Sequence, residues 1–446
     1  MIEKVLTIYN RIITEEFIRN VQGCAGIVER GGIFQSSIVL WLMIFQRLRK
    51  ATLAEAVEEL RLGASSSLLA RARGSIRART SRISGNTGGI TQARARLSIE
   101  VVKAASDALS TEIQRSLDKS DEVSKRTYII DGSTVRTQHT SNNLKKFPQY
   151  KNQYGSAHYP IVRLGVAIHA ASGVALRPAH GPFSGKDAVS ELTLASEVLR
   201  RLPPNSIAIG DRFYGCVRFA LEAQQHGHEV ICRIKERNSF KYVPRTARGE
   251  CYADWESIKK ETIKGRFVWE TIKIPGEKPY RLILFTTTTL EREQLLKLYA
   301  LRWNVELDLR DLKCTLEMES IDCRTPEMLE KELIVGFAAF NLVRHALIQM
   351  GNAFKIPYRQ FSFSRFLIRL RALEGALLSE SMSDELKTRA LNLALTDYKS
   401  LLLPKRKNKR PNEPRKVWPK GTLHTLRGSR EKERKKLNKN KTLESN

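Results

Sequence analysis

Along residues 291–319, EREQLLKLYALRWNVELDLRDLKCTLEME, apolar side chains recur at Leu298, Leu301, Val305, Leu309, Leu312 and Leu316. Spacings of three and four lay them in one stripe, and no Pro or Gly interrupts it, so the stretch predicts a single long amphipathic helix. At about 100° per residue, Tyr299, Arg302, Glu306 and Lys313 fall within an arc of about 60°, roughly 85° around from the stripe. Packed on a sheet, such a helix carries a phenol, two cations and one carboxylate along its shoulder. Charged helix faces are common, and Arg302, Glu306 and Arg310 also fit solvated i,i+4 pairs worth a few tenths of a kcal/mol each. The rest of the chain decides between the two readings.

Before this helix the period changes. Residues 1–125 carry helical spacing, clearest over 33–60, and predict an all-helical region. From Thr127 the pattern turns β-like. TYII gives way at Asp131-Gly132, a polar loop covers 136–159, and PIVRLGVAIHAASGVALRPAHG reads as a hairpin around Ala171-Ser172-Gly173. A helix over 187–202 stops at Pro203-Pro204, and SIAIGDRF is a buried strand giving way at Asp211. A helix over 214–227 leads to the strand HEVICRIK. A segment of mixed strand character, rich in Gly, Thr and charge, precedes the strand RLILFTTTT, and amphipathic helices follow from 326.

This order predicts an α/β fold, a mixed sheet flanked by helices. The expected divisions are a helical, basic domain over 1–125 and a sheet domain over 126–235 and 281–350, split by a β-rich insertion at 236–280. C-terminal helices cover 351–403. The basic tail over 404–446 reads as disordered or as a nucleic-acid-binding arm.

The 446-residue chain is 41% hydrophobic, ample for a core, yet carries a net charge of +29 and a pI near 10. Such a field attracts polyanions, nucleic acids above all, although ribosomal and membrane-surface proteins share this balance. Residues 61–99 hold eight arginines and no Asp or Glu, which favours phosphate contact over a plain solvated loop. The longest apolar run, 38–45, is far too short to span a bilayer, and no basic-then-apolar leader opens the chain. A soluble, cytoplasmic, nucleoid-associated protein without a membrane partner is expected. Cysteines at 24, 216, 232, 251, 314 and 323 form no CxxC pair and read as reduced, mostly buried thiols. His226 and His228 have no Cys or acid at metal spacing nearby, which argues against zinc. His139 and His158, in the polar loop, read as surface histidines.

Asp131 and Asp211 each stand where a β-rich run gives way, the place where functional groups collect in mixed α/β sheets. Either one alone is more often a turn former or helix cap. With Glu306 on a helix beside both strands, they make a three-carboxylate cluster. Hard cations such as Mg²⁺ take oxygen ligands, using a few carboxylates plus substrate phosphate oxygens. Two such ions about 4 Å apart can activate an attacking water or hydroxyl and stabilise the leaving 3′ oxygen of a phosphodiester. Arg302 and Lys313 then suit backbone phosphate, with a hydrogen bond from Tyr299. Asp308 and Asp311 lie about 200° and 140° around the helix from Glu306, and Glu317 about 16 Å further along, so none of them joins the same ion.

The spacing Tyr299-x2-Arg302-x3-Glu306-x6-Lys313 resembles the signature of bacterial insertion-sequence transposases with a DDE active site. DGS at the first Asp, GDRFYG at the second and the β-rich insertion before the Glu helix belong to the same resemblance, which covers roughly residues 125–350. It implies a ribonuclease H-like fold of the retroviral-integrase superfamily, with Asp131, Asp211 and Glu306 as catalytic ligands of two Mg²⁺ ions that Mn²⁺ can replace. It implies DNA contacts by Tyr299, Arg302, Trp303 and Lys313. For Trp303, stacking on terminal bases and burial in the helix packing both stay open. The implied activity is cutting at the element ends and joining to target DNA, with double-stranded DNA as partner and a homodimer on it. A nuclease of the same fold that cuts without joining, and an inactive DNA-binding descendant, are the alternatives.

Overall fold

The computed structural model describes residues 8–28, 33–61, 84–115, 122–153, 155–236, 239, 241–273, 279–378 and 396–403, with a few positions between 383 and 393. Most of the arginine-rich stretch (62–83) and the basic tail from 404 onward, where DNA contacts or an arm were expected, lie outside the described residues.

Among the described residues, helices α1 (Glu15–Cys24), α2 (Ser36–Arg49), α3 (Leu53–Arg61), α4 (Gly88–Arg96), α5 (Ile99–Arg115) and the single turn α6 (Glu122–Lys125) precede the sheet. Then come β1 (Thr127–Thr137), α7 (Ser141–Lys146), the small pair β2 (Lys151–Asn152) and β3 (Gly155–Ser156), β4 (Ile161–His169) and β5 (Ala179–Pro182). Next are α8 (Glu191–Leu199), β6 (Ile207–Gly210), α9 (Val217–Gln225), β7 (Glu229–Arg233), β8 (Arg248–Glu256), β9 (Thr262–Ile272) and β10 (Tyr280–Thr286). Helices α10 (Arg292–Ala300) and α11 (Trp303–Arg310) lead through a π-helical turn (Asp311–Thr315) to β11 (Ser320–Ile321), α12 (Pro326–Phe354) and α13 (Phe363–Leu378).

The main sheet runs β5-β4-β1-β6-β7-β10-β9-β8, with β11 on β1. β1 and β6 are parallel, as are β6 and β7, while β4, β5 and the β8–β10 strands pair antiparallel. This is the expected ribonuclease H-like mixed sheet flanked by helices. The β-rich insertion extends it: β8 and β9 continue the ladder outward from β10, with Phe285 opposite Phe267. Side chains along β1 alternate between two cores. Ile129 and Val135 join the N-terminal helices and α12, whereas Tyr128 and Ile130 join α8 and α9. Helix α10 covers β6, β7 and β10 through Leu295, Leu298 and Tyr299.

The helical N-terminal region shares one continuous core with α12. Glu332 of α12, buried, pairs with Arg47 at 2.9 Å and with Arg94 of α4. Arg94, in the segment expected to contact DNA, therefore acts as a structural ion-pair partner. Helix α12 itself, 29 residues capped by Thr325 with Pro326 in its first turn, is buried nearly all round rather than amphipathic. It is the one described helix long and apolar enough to cross a membrane, and it lies inside this core. Of the six thiols, expected to be mostly buried, only Cys232 and Cys323 are fully so; Cys24 and Cys314 are exposed.

The predicted 291–319 helix is real in its apolar stripe but not continuous. At Leu301, Arg302, Asn304 and Val305 the amide bonds fall three residues back instead of four, tightening the helix between α10 and α11. After Arg310 the ladder widens, with Leu316 N–H bonding Asp311 C=O, five residues back.

What fixes α11 is Asp308. It is 1% exposed and accepts from Arg344 of α12 at 2.7 Å and from both terminal nitrogens of Arg359 at 3.1 and 2.9 Å. Asp308→Ala leaves the buried Arg344 guanidinium without its counter-ion, a change worth about 3–5 kcal/mol. Urea denaturation should show a loss of that size, and a loss under about 1 kcal/mol would mean the ions are not holding the helix.

Candidate active site

The parallel β1–β6 ladder ends at Ile130 opposite Gly210, so the next residues of the two adjacent strands are Asp131 and Asp211. Neighbouring strands lie about 4.8 Å apart, which makes the two acids neighbours. Asp211 directly follows β6, as expected. Asp131 differs from expectation: β1 runs on to Thr137 and pairs Asp131 with Val166 of β4. The strand continues because β4 and β11 supply partners that a local reading of Asp-Gly does not reveal. Each carboxylate is oriented by backbone: the Gly132 amide donates to Asp131 Oδ1 at 2.8 Å, and the Phe213 amide to Asp211 Oδ1 at 2.7 Å.

Burial is the main force on Asp131, pushing its pKa from the ordinary 3.8 up to about 6. The Gly132 amide opposes that rise, Asp211 adds to it, Arg302 opposes it and Glu191 adds to it. Arg302 thus connects the helix to the strands. Its guanidinium reaches Glu306 Oε1 at 3.5 Å and lies 4.6 Å over the Trp303 ring.

Tyr299 is buried rather than standing on the helix shoulder. Burial pushes its hydroxyl up to about 12, with Arg302 and Arg233 opposing and Asp211 assisting. Trp303 is 54% exposed, which decides against burial in the helix packing.

Lys313 parts company with the other three. The widened turn changes its direction, and it lines a cleft of about 150 Å³ with Thr134, Arg136, His158, Tyr159 and Glu319. Thr134 is three residues beyond Asp131, so this cleft sits roughly 10 Å along β1 from the acids. Asp308 and Asp311 do point away from the Glu306 side, inward against Arg344.

The structure therefore gathers Asp131, Asp211, Tyr299 and Arg302 around one point, with Glu306 attached through Arg302. Among the described residues no three His, Cys, Asp or Glu side chains close tightly enough to chelate an ion. The donor set nonetheless suits a hard divalent cation: all-oxygen, acidic and partly desolvated, with two carboxylates set side by side against their mutual repulsion. Two residues on the α8 side of the sheet have no place in the sequence reading, Glu191 against Gly132 and Tyr214 against Gly210. Both bear electrostatically on Asp131 or feel its charge. GDRFYG contains Tyr214, but nothing in that motif marks its hydroxyl, and Glu191 reads as an ordinary first-turn acid.

Residues 123–342 match the family described as Transposase DDE domain. A relative, the transposase InsG for insertion sequence element IS4 of Escherichia coli (strain K12), is 25% identical over 279 residues. That stretch is 57% of this chain and 61% of the relative, so the match spans less than two thirds of the relative's length. The matched segment begins just before β1 and ends within α12, enclosing Asp131, Asp211 and Glu306. By this match, residues 123–342 belong to the transposase DDE domain family.

Proposed function

We propose that the protein is the DNA transposase of an insertion sequence, cutting phosphodiesters at the element ends and joining the freed 3′ ends to target DNA. The observation that carries the reading is that Asp131 and Asp211 directly follow Ile130 and Gly210, the last rung of the β1–β6 ladder, with Arg302, the ion-pair partner of Glu306, bearing on Asp131. Asp131, Asp211 and Glu306 are the groups to hold Mg²⁺, with Mn²⁺ accepted by the same oxygens. When bound, such ions supply Lewis-acid activation of the attacking water or 3′ hydroxyl and of the leaving oxygen. Arg302 binds the phosphate beside the acids, releasing Glu306 from their ion pair. Tyr299, buried near Arg302, would hydrogen-bond the same phosphate. Exposed Trp303 offers a face for a terminal base. Lys313 grips the backbone further along β1. Double-stranded DNA is the partner, and two ends to be joined call for two copies of the chain.

Alanine at Asp131, Asp211 or Glu306 should reduce Mg²⁺-dependent cleavage of a labelled element end on the order of 10⁴-fold, the scale for removing a member of a catalytic unit. Gel-shift affinity for the same DNA should hold. Undiminished cleavage in all three variants rejects the assignment. Joining of a precut end separates a transposase from a nuclease of the same fold, and intact binding without any cleavage by the unaltered chain marks an inactive descendant. Trp303→Ala should weaken end binding roughly tenfold, the cost of one lost base stack.

Asp131 also provides a test without DNA. Its folded pKa is raised, so its protonated form is the one the fold favours. The associated stability is present below the ordinary value of 3.8 and is lost as pH rises through about 6. Asp131→Asn removes the ionisation, so the metal-free variant should be more stable than the parent by roughly 1–3 kcal/mol at pH 7.5. That gain should shrink as pH falls from 6 towards 4. Denaturation in EDTA at several pH values reads this directly, and a variant no more stable than the parent at pH 7.5 means Asp131 is not desolvated.

A further inference from the structure

The rung Ile129, Ile209 and Ile231 crosses the parallel strands β1, β6 and β7. Ile209 and Ile231 lie under α10, so this is the α10 face of the sheet. The next rung, Ile130, Gly210 and Cys232, faces the opposite way. One residue further come Asp131, Asp211 and Arg233, which strand alternation returns to the α10 face. Arg233 is still held in register there, paired with Leu284 of β10, itself packed under α10. Strands lie about 4.8 Å apart, so a cation stands beside Asp211 on the side away from Asp131. The loop that carries Asp211 closes on the same residue. A Cβ built on Gly215 would collide with the Arg233 carbonyl oxygen, an approach that only glycine allows.

An arginine at a strand end has an ordinary explanation, and this one lies over the Tyr280 ring at 5.4 Å, a contact common for a partly exposed cation. Its neighbours show what arginines kept for structure do here. Arg266 takes the Leu290 carbonyl and Glu250, and Arg281 takes the Pro244 carbonyl and Glu236. Arg292 takes the Gly249 and Trp269 carbonyls and Glu270. Arg233 differs: among the described residues no carboxylate or carbonyl accepts from its guanidinium. Because β10 runs antiparallel to β7, Tyr280 lies beyond the end of β7. A guanidinium over that ring extends outward past the row of acids. Arg302 and Arg233 both oppose the rise of the Tyr299 hydroxyl, so the two charges reach one pocket from either side.

We propose that Arg233 is a second DNA-phosphate ligand of the active site, gripping the backbone phosphate next to the one that Asp131, Asp211 and Arg302 face. This rests on the DNA-cutting reading of the acids. A guanidinium fork takes a phosphate through two parallel hydrogen bonds, and Arg233 has no ion pair to break first.

The test is binding of a labelled element-end duplex to the full-length chain in EDTA, where no cutting intervenes. Arg233→Ala and Arg233→Gln should each weaken binding roughly tenfold, and the slope of log affinity against log salt should fall by about one. Arg233→Lys keeps the charge but not the fork, and should restore the slope and part of the affinity. Replacing single phosphates by neutral methylphosphonates locates the contact: one position that costs the parent affinity should cost Arg233→Ala nothing further. Circular dichroism checks the fold, and Arg233→Gln carries the test if Arg233→Ala does not fold. Weaker binding with an unchanged salt slope and the parent's pattern of methylphosphonate losses means that Arg233 only supports the fold. Binding equal to the parent's means that it does not meet DNA. Either result overturns the Arg233 assignment and leaves that of the acids standing. If the unaltered chain neither binds nor cuts element ends, the DNA-cutting reading fails and this site falls with it.

Discussion

A carboxylate enclosed between two guanidinium groups decides how helix α11 faces the sheet. Asp308 on α11 is clasped by Arg344 of α12 and Arg359 of the turn that follows it. Arg344 is further boxed by the rings of Phe340, Tyr358 and Phe363 at 5.0–5.5 Å. Buried ions are costly unless paired and bonded, so this cluster tolerates little rotation of α11. Glu306 lies two residues earlier, about 200° around the helix. Turning Asp308 inward therefore turns Glu306 outward to an exposed position, within reach of the largely buried Arg302 guanidinium. The same guanidinium groups pack beside the turn at Gly173 between β4 and β5, which ties the helix to the strand next to β1.

Against that rigid frame the acids sit in tension. Asp131 is drawn out of water and feels the charges of Asp211 and Glu191, with Arg302 opposing. Burial lets Asp131 hold its proton to higher pH, and Glu306 takes Arg302 as a partner. A site that is poor for stability and good for binding charge is what general electrostatics expects of a catalytic centre.

Much of this was legible in the chain. The β1 and β6 strands, the hairpin after 159 and the helix stop at Pro203-Pro204 follow from alternation and breakers, which are local signals. So does the stripe from Leu298 to Leu316, whose members are buried or partly buried. The failures share a cause, tertiary partners that no local pattern records. β1 runs through Asp131-Gly132 because β4 lies opposite. Helix α12 is apolar all round because the N-terminal helices cover the side that would otherwise meet water. Arg94 looks like a phosphate ligand until Glu332, 238 residues away, takes it. Glu191 and Tyr214 were invisible for the same reason, since only folding brings them against Gly132 and Gly210.

The π-helical turn at Asp311–Thr315 has the largest consequence for how the surface is divided. An ideal helix puts Lys313 above Glu306, on the arc with Tyr299 and Arg302. A wider turn advances fewer degrees per residue, so Lys313 is carried away to the cleft beside Thr134 and Arg136. Such turns seldom survive in a helix without tertiary support, and here Leu312 within the turn and Leu316 just after it are both buried in the core. The sequence spacing therefore overstates how tightly the four residues cluster. Arg302 stands at the acids while Lys313 stands about three strand residues away, closer to the distance between successive backbone phosphates than to a single one. A strand of DNA laid along β1 would meet them in turn, and the cation nearest the acids would be the one that the reacting phosphate displaces from Glu306.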